Sequence, residues 1–276
     1  MRKILVLMFL AITSLGYAQT FDVMTFNLRY DNPGDGVNQW SERKGKVFNL
    51  LRKYDPTLIG VQEALHHQLQ DIIHDLPAYA YVGVGRDDGK EKGEYAAILY
   101  KKDQVEVVEQ NTFWLSENPD VPGSKSWDAA ITRIATWAIF MDKKTKMKFL
   151  AINSHFDHIG QEARKKSAEM LKTKAAALAK NLPVIIMGDF NATRSEAPYA
   201  VMKDDKTMPL IDPAPENPPG TFCSFEVNSI VCRGIDYIFY SQGWTAENYQ
   251  VIQDNDGKYY PSDHLPVMVR LNHAKK

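Results

Sequence analysis

The chain has 276 residues, of which 44% are hydrophobic and 24% charged, with a formal net charge of −1. That is the composition of a globular chain able to build a full core. It excludes the broadly basic surface of a dedicated nucleic-acid binder, although a local basic patch can coexist with a neutral total.

In chain order, Met1-Arg2-Lys3 is a short cationic start, Ile4 to Leu15 an apolar run, and Gly16-Tyr17-Ala18 ends on a small residue. This is the layout of a secretory signal peptide spanning residues 1–18, so an exported protein, periplasmic or secreted, is expected. The apolar run falls short of the ~20 residues a membrane span needs. No Cys stands near the cleavage point to carry a lipid, so no stable membrane anchor is expected. Residues 19–276 remain, read as one domain with its core between about 20 and 272.

Strands are predicted over Phe21–Leu28, Thr57–Gln62, Tyr95–Tyr100, Gln104–Leu115, Ile131–Met141, Lys148–Asn153, Val184–Met187, Ile235–Tyr240 and Leu265–Leu271. Helices are predicted over Glu42–Tyr54, where Val47, Leu50 and Leu51 form a stripe, over His66–Leu76, and over Gln161–Lys180. Lys101-Lys102-Asp103 and Asp142–Lys146 read as hairpin turns. Pro209–Gly220 holds five prolines and must be a surface loop. Strands in both halves with helices between them imply an α/β four-layer sandwich: two packed mixed or antiparallel sheets flanked by helices. Cys223 and Cys232 flank a short segment, and either a disulfide or two buried thiols fits the spacing.

The chemically capable residues share a position at or beside predicted strand ends. Asn27 closes the first strand and Glu63 follows the second. His155 follows Asn153, Asp189 and Asn191 follow Met187, Asp236 begins a strand, and Asp263-His264 precedes the last. Singly these are weak signals: Glu63 could be a helix N-terminal acid, and Asp189 and Asn191 an Asx turn. Asp189 and Asn191 at i and i+2 can instead face one ligand.

Together they carry a resemblance. MTFNLRYDNPGDG, IGVQEA, GEYAAILY, TRIATW, INSHFDHIGQEAR, IIMGDFNA, RGIDYIFYS and SDHLPV follow the motif order of the endonuclease/exonuclease/phosphatase superfamily, the pancreatic-deoxyribonuclease-like fold. The resemblance runs from about Phe21 to Leu271. It implies a metal-dependent phosphoric ester hydrolase in which an activated water attacks in line, on a phosphodiester or a phosphomonoester.

Physical roles agree with that implication. Glu63, with Asn27 as an oxygen neighbour and Asp263 at a second or shared position, forms a hard-oxygen site for Mg²⁺, with Mn²⁺ as a substitute. Asp189 orients and deprotonates the water, and Asn191 contacts the same phosphate or water. His155 and His264 hydrogen-bond the phosphoryl oxygens, each expected to have a carboxylate that fixes its tautomer and raises its pKa. The resemblance assigns Asp236 to His264 and Glu94 to His155. Arg133 in TRIATW is expected to face the phosphate, and Arg86 and Trp40 to line the cleft.

The run His155-Phe156-Asp157-His158 also suggests a binuclear zinc site. That would need a His at position 153, where Asn153 stands, so Asp157 and His158 are read as shaping the loop into Gln161. The partner is a phosphate ester: a small molecule, a lipid head group or a nucleic acid. The polar segment Asp31–Asn38 is expected to form one cleft wall, and Trp114 and Trp127 are candidate aromatic contacts. A monomer is expected.

Overall fold

A computed structural model of the chain describes residues 20–227 and 232–273. The expected leader over residues 1–18 and half of the tip between the cysteines, residues 228–231, lie outside them. The strands are β1 (Thr20–Asn27), β2 (Leu58–Ala64), β3 (Tyr79–Val82), β4 (Tyr95–Lys101), β5 (Val105–Trp114), β6 (Ile134–Asp142), β7 (Lys148–His155), β8 (Val184–Asp189), β9 (Asp236–Tyr240), β10 (Trp244–Val251) and β11 (Val267–His273). The helices are α1 (Trp40–Tyr54), α2 (His66–Asp75), α3 (Gln161–Ala179) and α4 (Ala197–Lys203), with a 3₁₀ segment at Pro33–Asn38.

Period-two alternation assigns each strand's side chains to two apolar layers. Phe21 and Val23 of β1 enter the layer between the sheets, while Met24 and Phe26 face α1 and α2. In β8, Ile185 and Met187 point between the sheets, and Val184 and Ile186 face α3. Burial on both faces is why these strands read as continuous apolar runs. The result is a four-layer sandwich, with sheets in the orders β10-β11-β1-β2-β4-β3 and β5-β6-β7-β8-β9.

Each sheet has one parallel pair, β1/β2 and β7/β8, joined through α1 and α3 respectively; the other pairings are antiparallel. The carboxyl ends of both parallel pairs open on the same rim, where α/β sheets offer room for ligands. Beneath that rim the sheets are tied by polar groups. Asn153 donates to Val61 O and Ala97 O at 2.8 Å each, and its Oδ1 accepts from Gln62 Nε2 at 2.6 Å. Gly60 lies opposite; a Cβ there would meet Asn153 Oδ1 at 2.7 Å and Met187 Cγ at 2.8 Å.

One expected hairpin is corrected. Lys101-Lys102-Asp103 joins β4 to β5, which belong to different sheets, so the turn carries the chain across the sandwich. Asp142–Lys146 does close a hairpin, between β6 and β7. Sequence reading missed β3 and β10, both edge strands, and α4. β3 has only four residues, and β10 alternates between exposed and covered positions with polar residues along most of its length.

Candidate active site

Asn27, Glu63, His155 and Asp189 are delivered by the carboxyl ends of the four parallel strands. Register places His155 beside Asp189, and Asp189 beside Asp236 of β9. Glu63 is turned out of its ladder. The pairing of β2 with β4 shifts between Gln62 and Ala64, and Glu63 takes a φ of 61°. Asn191 (φ 47°) and Arg29 (φ 55°) are also in the left-handed region. Such conformations cost side-chain-bearing residues about 1–3 kcal/mol and concentrate at functional sites.

Asp189 is 1% exposed and firmly held. Oδ1 accepts from the Asn191 backbone N at 2.8 Å, and Oδ2 accepts from Asn27 Nδ2 at 3.0 Å. His155 Nε2 and His264 Nε2 approach the same Oδ2 at 3.4 and 3.7 Å. Burial, and secondarily Asp236, raise the Asp189 pKa above the ordinary aspartate range. His264 Nδ1 is 2.9 Å from Asp236 Oδ2. Burial opposes the charge on His264, but Asp236 and Asp189 together push its pKa up to about 10. Phe222 packs its ring 4.9 Å from that imidazole.

The expected partner of His155 is corrected. Glu94 makes its short contact to Arg86, with Nη1 to Oε2 at 2.6 Å. The guanidinium of Arg133 lies between Glu94 and the histidine, 3.9 Å from Glu94 Oε2 and 2.8 Å from His155 Nδ1. The always-charged Arg133 donates to Nδ1, so the imidazole proton lies on Nε2, 3.4 Å from Asp189 Oδ2, while Asn191 Nδ2, 3.1 Å from the same nitrogen, donates to Phe156 O. The expected rise in pKa is reversed: burial and then the Arg133 charge push it well below the usual histidine value. His155 is a neutral donor, whereas His264 is cationic.

Opposite this group stand Glu63 and Asp263, partly covered carboxylates on either side of the Arg29 guanidinium (3.9 and 4.0 Å). Burial raises the Asp263 pKa, and Glu63 adds to the rise while His264 opposes it. Two hard carboxylates whose charges oppose one another, without thiolate or imidazole between them, suit Mg²⁺ or Mn²⁺ better than zinc. Asn27 lies beside Glu63 as expected but turns its amide nitrogen, not its oxygen, toward that carboxylate. Its Nδ2 faces Glu63 Oε1 at 3.1 Å, and its Oδ1 accepts from the Arg29 backbone N at 2.9 Å. Between two carboxylates the amide turns its N–H groups outward, because the reverse would gather three oxygens. Asp189, Asp236 and His264 also form a compact acid–histidine cluster, with ligand atoms within 4.8 Å of one another. Within it Asp236 and His264 are hydrogen-bonded at 2.9 Å, while Asp189 Oδ2 stands 3.7 Å from His264 Nε2 as an ion-pair neighbour.

These residues surround a cleft of about 410 Å³. Glu63, Glu94, Arg133, His155, Asp189, Asn191, Asp263 and His264 line it, with Asn27 and Asp236 buried just behind. Trp40 is instead a core residue whose Nε1 donates to Asp71, and Trp114 is buried with Nε1 on Arg86 O. Arg86 lies behind Glu94. Asp157 does shape its loop, accepting from the backbone N of Ala130, Ile131, Ile159 and Gly160. His158, however, reaches the cleft, 3.3 Å from Arg133 Nη2.

Sequence reading also missed Arg29, Tyr30, Phe222 and Arg233 as lining residues. Arg29 and Arg233 lie within quoted motifs, but an arginine in a loop carries no spacing signal. Phe222 and Arg233 pair across a short bridge braced by a Cys223–Cys232 disulfide.

Residues 24–264 match the model of the Endonuclease/Exonuclease/phosphatase family. A mannosyl-6-phosphatase of Bacteroides thetaiotaomicron is 40% identical, with a TM-score of 0.84 over 91% of this chain and 99% of that one. An endonuclease/exonuclease/phosphatase family protein from the same organism is 38% identical, with a TM-score of 0.87 over 94% and 100%. An uncharacterized protein of Acanthamoeba polyphaga mimivirus is 26% identical, covering 84% of this chain and 92% of its own length.

Proposed function

Because the chain belongs to the endonuclease/exonuclease/phosphatase family, a family of phosphoesterases, we propose that it is a Mg²⁺-dependent phosphatase acting on small phosphomonoesters, sugar phosphates foremost. One observation carries this reading. Asp189, Asn191, His155 and His264 converge on one wall of a single cleft, facing the Glu63–Asp263 carboxylate pair on the other. Three features favour a small monoester over a polymer or a lipid. The cleft has the volume of a small-molecule site. Arg29, Arg133 and Arg233 surround it with charge suited to a dianion. The relative at 40% identity is named for a sugar phosphate.

The contacts support an in-line reaction. Asp189, held by Asn27 and Asn191, takes a proton from water as its oxygen forms the new bond to phosphorus. The bond from phosphorus to the leaving oxygen breaks on the opposite side, and the released alcoholate takes a proton from solvent water. Cationic His264 and Arg133, with the Nε2–H of His155, stabilise the charge spread over the phosphoryl oxygens. Glu63 and Asp263 would hold the cation, whose contribution when bound is to neutralise the phosphoryl group and the leaving oxygen.

The test is a panel of hexose phosphates, p-nitrophenyl phosphate, bis-(p-nitrophenyl) phosphate, DNA, RNA and sphingomyelin vesicles. Phosphate release from a hexose phosphate should require Mg²⁺ or Mn²⁺ and stop with EDTA. Asp189→Asn and His264→Ala should each lower kcat/KM by about 10²–10⁴-fold. Faster cleavage of a diester than of every monoester would overturn the monoester reading.

We also propose export, supported by the cationic start and apolar run and compatible with the Cys223–Cys232 disulfide. Secretion in a bacterial host should yield a mature protein beginning at Gln19 by mass spectrometry. A cytoplasmic product that retains Met1–Ala18 would contradict it.

A further inference from the structure

Arg29 stands in an unusual place for a cation site. Its guanidinium lies 3.9 Å from Glu63 Oε2 and 4.0 Å from Asp263 Oδ2, an ion-pair distance from both but a hydrogen bond to neither. Its hydrogen bonds go sideways to Asp35, Nε to Oδ2 and Nη2 to Oδ1, both at 3.0 Å. The backbone around it is fixed. Arg29 N donates to Asn27 Oδ1, and Arg29 O accepts from Arg43 Nη2 and Gln68 Nε2. Its φ of 55° lies in the left-handed region, which a side-chain-bearing residue adopts at a cost.

Resting on the metal-dependent reading above, we propose that Arg29 is a tethered countercharge for Glu63 and Asp263, making divalent-cation binding depend on the phosphate anion. A dication entering beside a guanidinium meets a carboxylate pair whose charge is already partly neutralised. A phosphate in the cleft restores negative charge and offers Arg29 a second acceptor. Cation and phosphate therefore bind cooperatively, a coupling that is reciprocal. The Asp35 tether keeps the guanidinium from collapsing onto the pair.

The test is binding of Mn²⁺ to the full mature chain, followed by the free-Mn²⁺ EPR signal with and without inorganic phosphate, against protein-free controls. In the wild type, phosphate should tighten Mn²⁺ binding at least about fivefold, within the usual range of coupling between sites. Arg29→Gln should bind Mn²⁺ more tightly than wild type without phosphate and lose most of the phosphate effect. Asp35→Asn, which releases the tether, should shift in the opposite direction and bind Mn²⁺ more weakly without phosphate. Unfolding curves establish that both variants fold. If Arg29→Gln or Asp35→Asn leaves Mn²⁺ affinity unchanged while the wild type shows Mg²⁺-dependent hydrolysis, the countercharge role is wrong and the enzyme reading stands. If the wild type binds no Mn²⁺ under either condition, the metal-dependent reading fails and takes this inference with it.

Discussion

At the scale of single residues, the site's two histidines differ because their neighbours differ. His264 is paired with a buried carboxylate and gains charge, whereas His155 is paired with a buried guanidinium and stays neutral. Both are phosphate-facing donors in sequence motifs, and the motif spacing is silent on which side chain lies beyond each ring. Glu94 illustrates this. GEYAAILY places a glutamate beside the start of β4, but only the fold shows that it pairs with Arg86 and that Arg133 stands between it and the imidazole. Glu94 is therefore expected to act through Arg133. Glu94→Gln and Arg133→Lys should each lower kcat/KM, and the double variant should lose less than the sum of the two. A coupling energy of about 0.5–3 kcal/mol is expected for groups in one network. Strict additivity in that cycle would mean that Glu94 and Arg133 work independently.

At the scale of elements, strands carrying apolar residues on both faces were legible, because two-sided burial leaves continuous apolar sequence; the short β3 and the largely polar β10 were not. The segment Thr221–Cys223, outside both sheets, was not legible either. It is a short bridge held by Phe222 to Arg233 and to His264, with Cys223 N donating to Asp263 O at 3.0 Å. Sequence spacing left the cysteines either bridged or free. The structure joins them with their Cα atoms 4.3 Å apart. The bridge thus braces the element that seats Phe222 on His264 and brings Arg233 to the cleft. Replacing both cysteines by Ser should lower stability by about 2–3 kcal/mol, the loop-closure contribution of a short ring, measured by urea unfolding. An unchanged midpoint would show that the backbone bridges hold the segment without the covalent link.

At the scale of the whole molecule, two parallel pairs, one in each sheet, are packed face to face so that four carboxyl strand ends open on one rim. That arrangement explains why Asn27, Glu63, His155 and Asp189, scattered over much of the chain, meet in one cleft. It also explains why the turn after β4 is a crossing: a turn of that length can close a hairpin or step between stacked sheets, and its residues favour neither. The apolar periodicity and the strand-end motifs are local patterns, readable from residues a few positions apart. By themselves they determined the layered architecture, the family resemblance and the identity of the chemically capable residues. Which strands pair, which way Asn27 turns its amide, which group faces each histidine and where Arg29 sits were decided by contacts between residues far apart in the chain. The charge environment at one atom depends on everything within a few ångströms of it, whatever its distance in sequence, so only the tertiary structure could decide it.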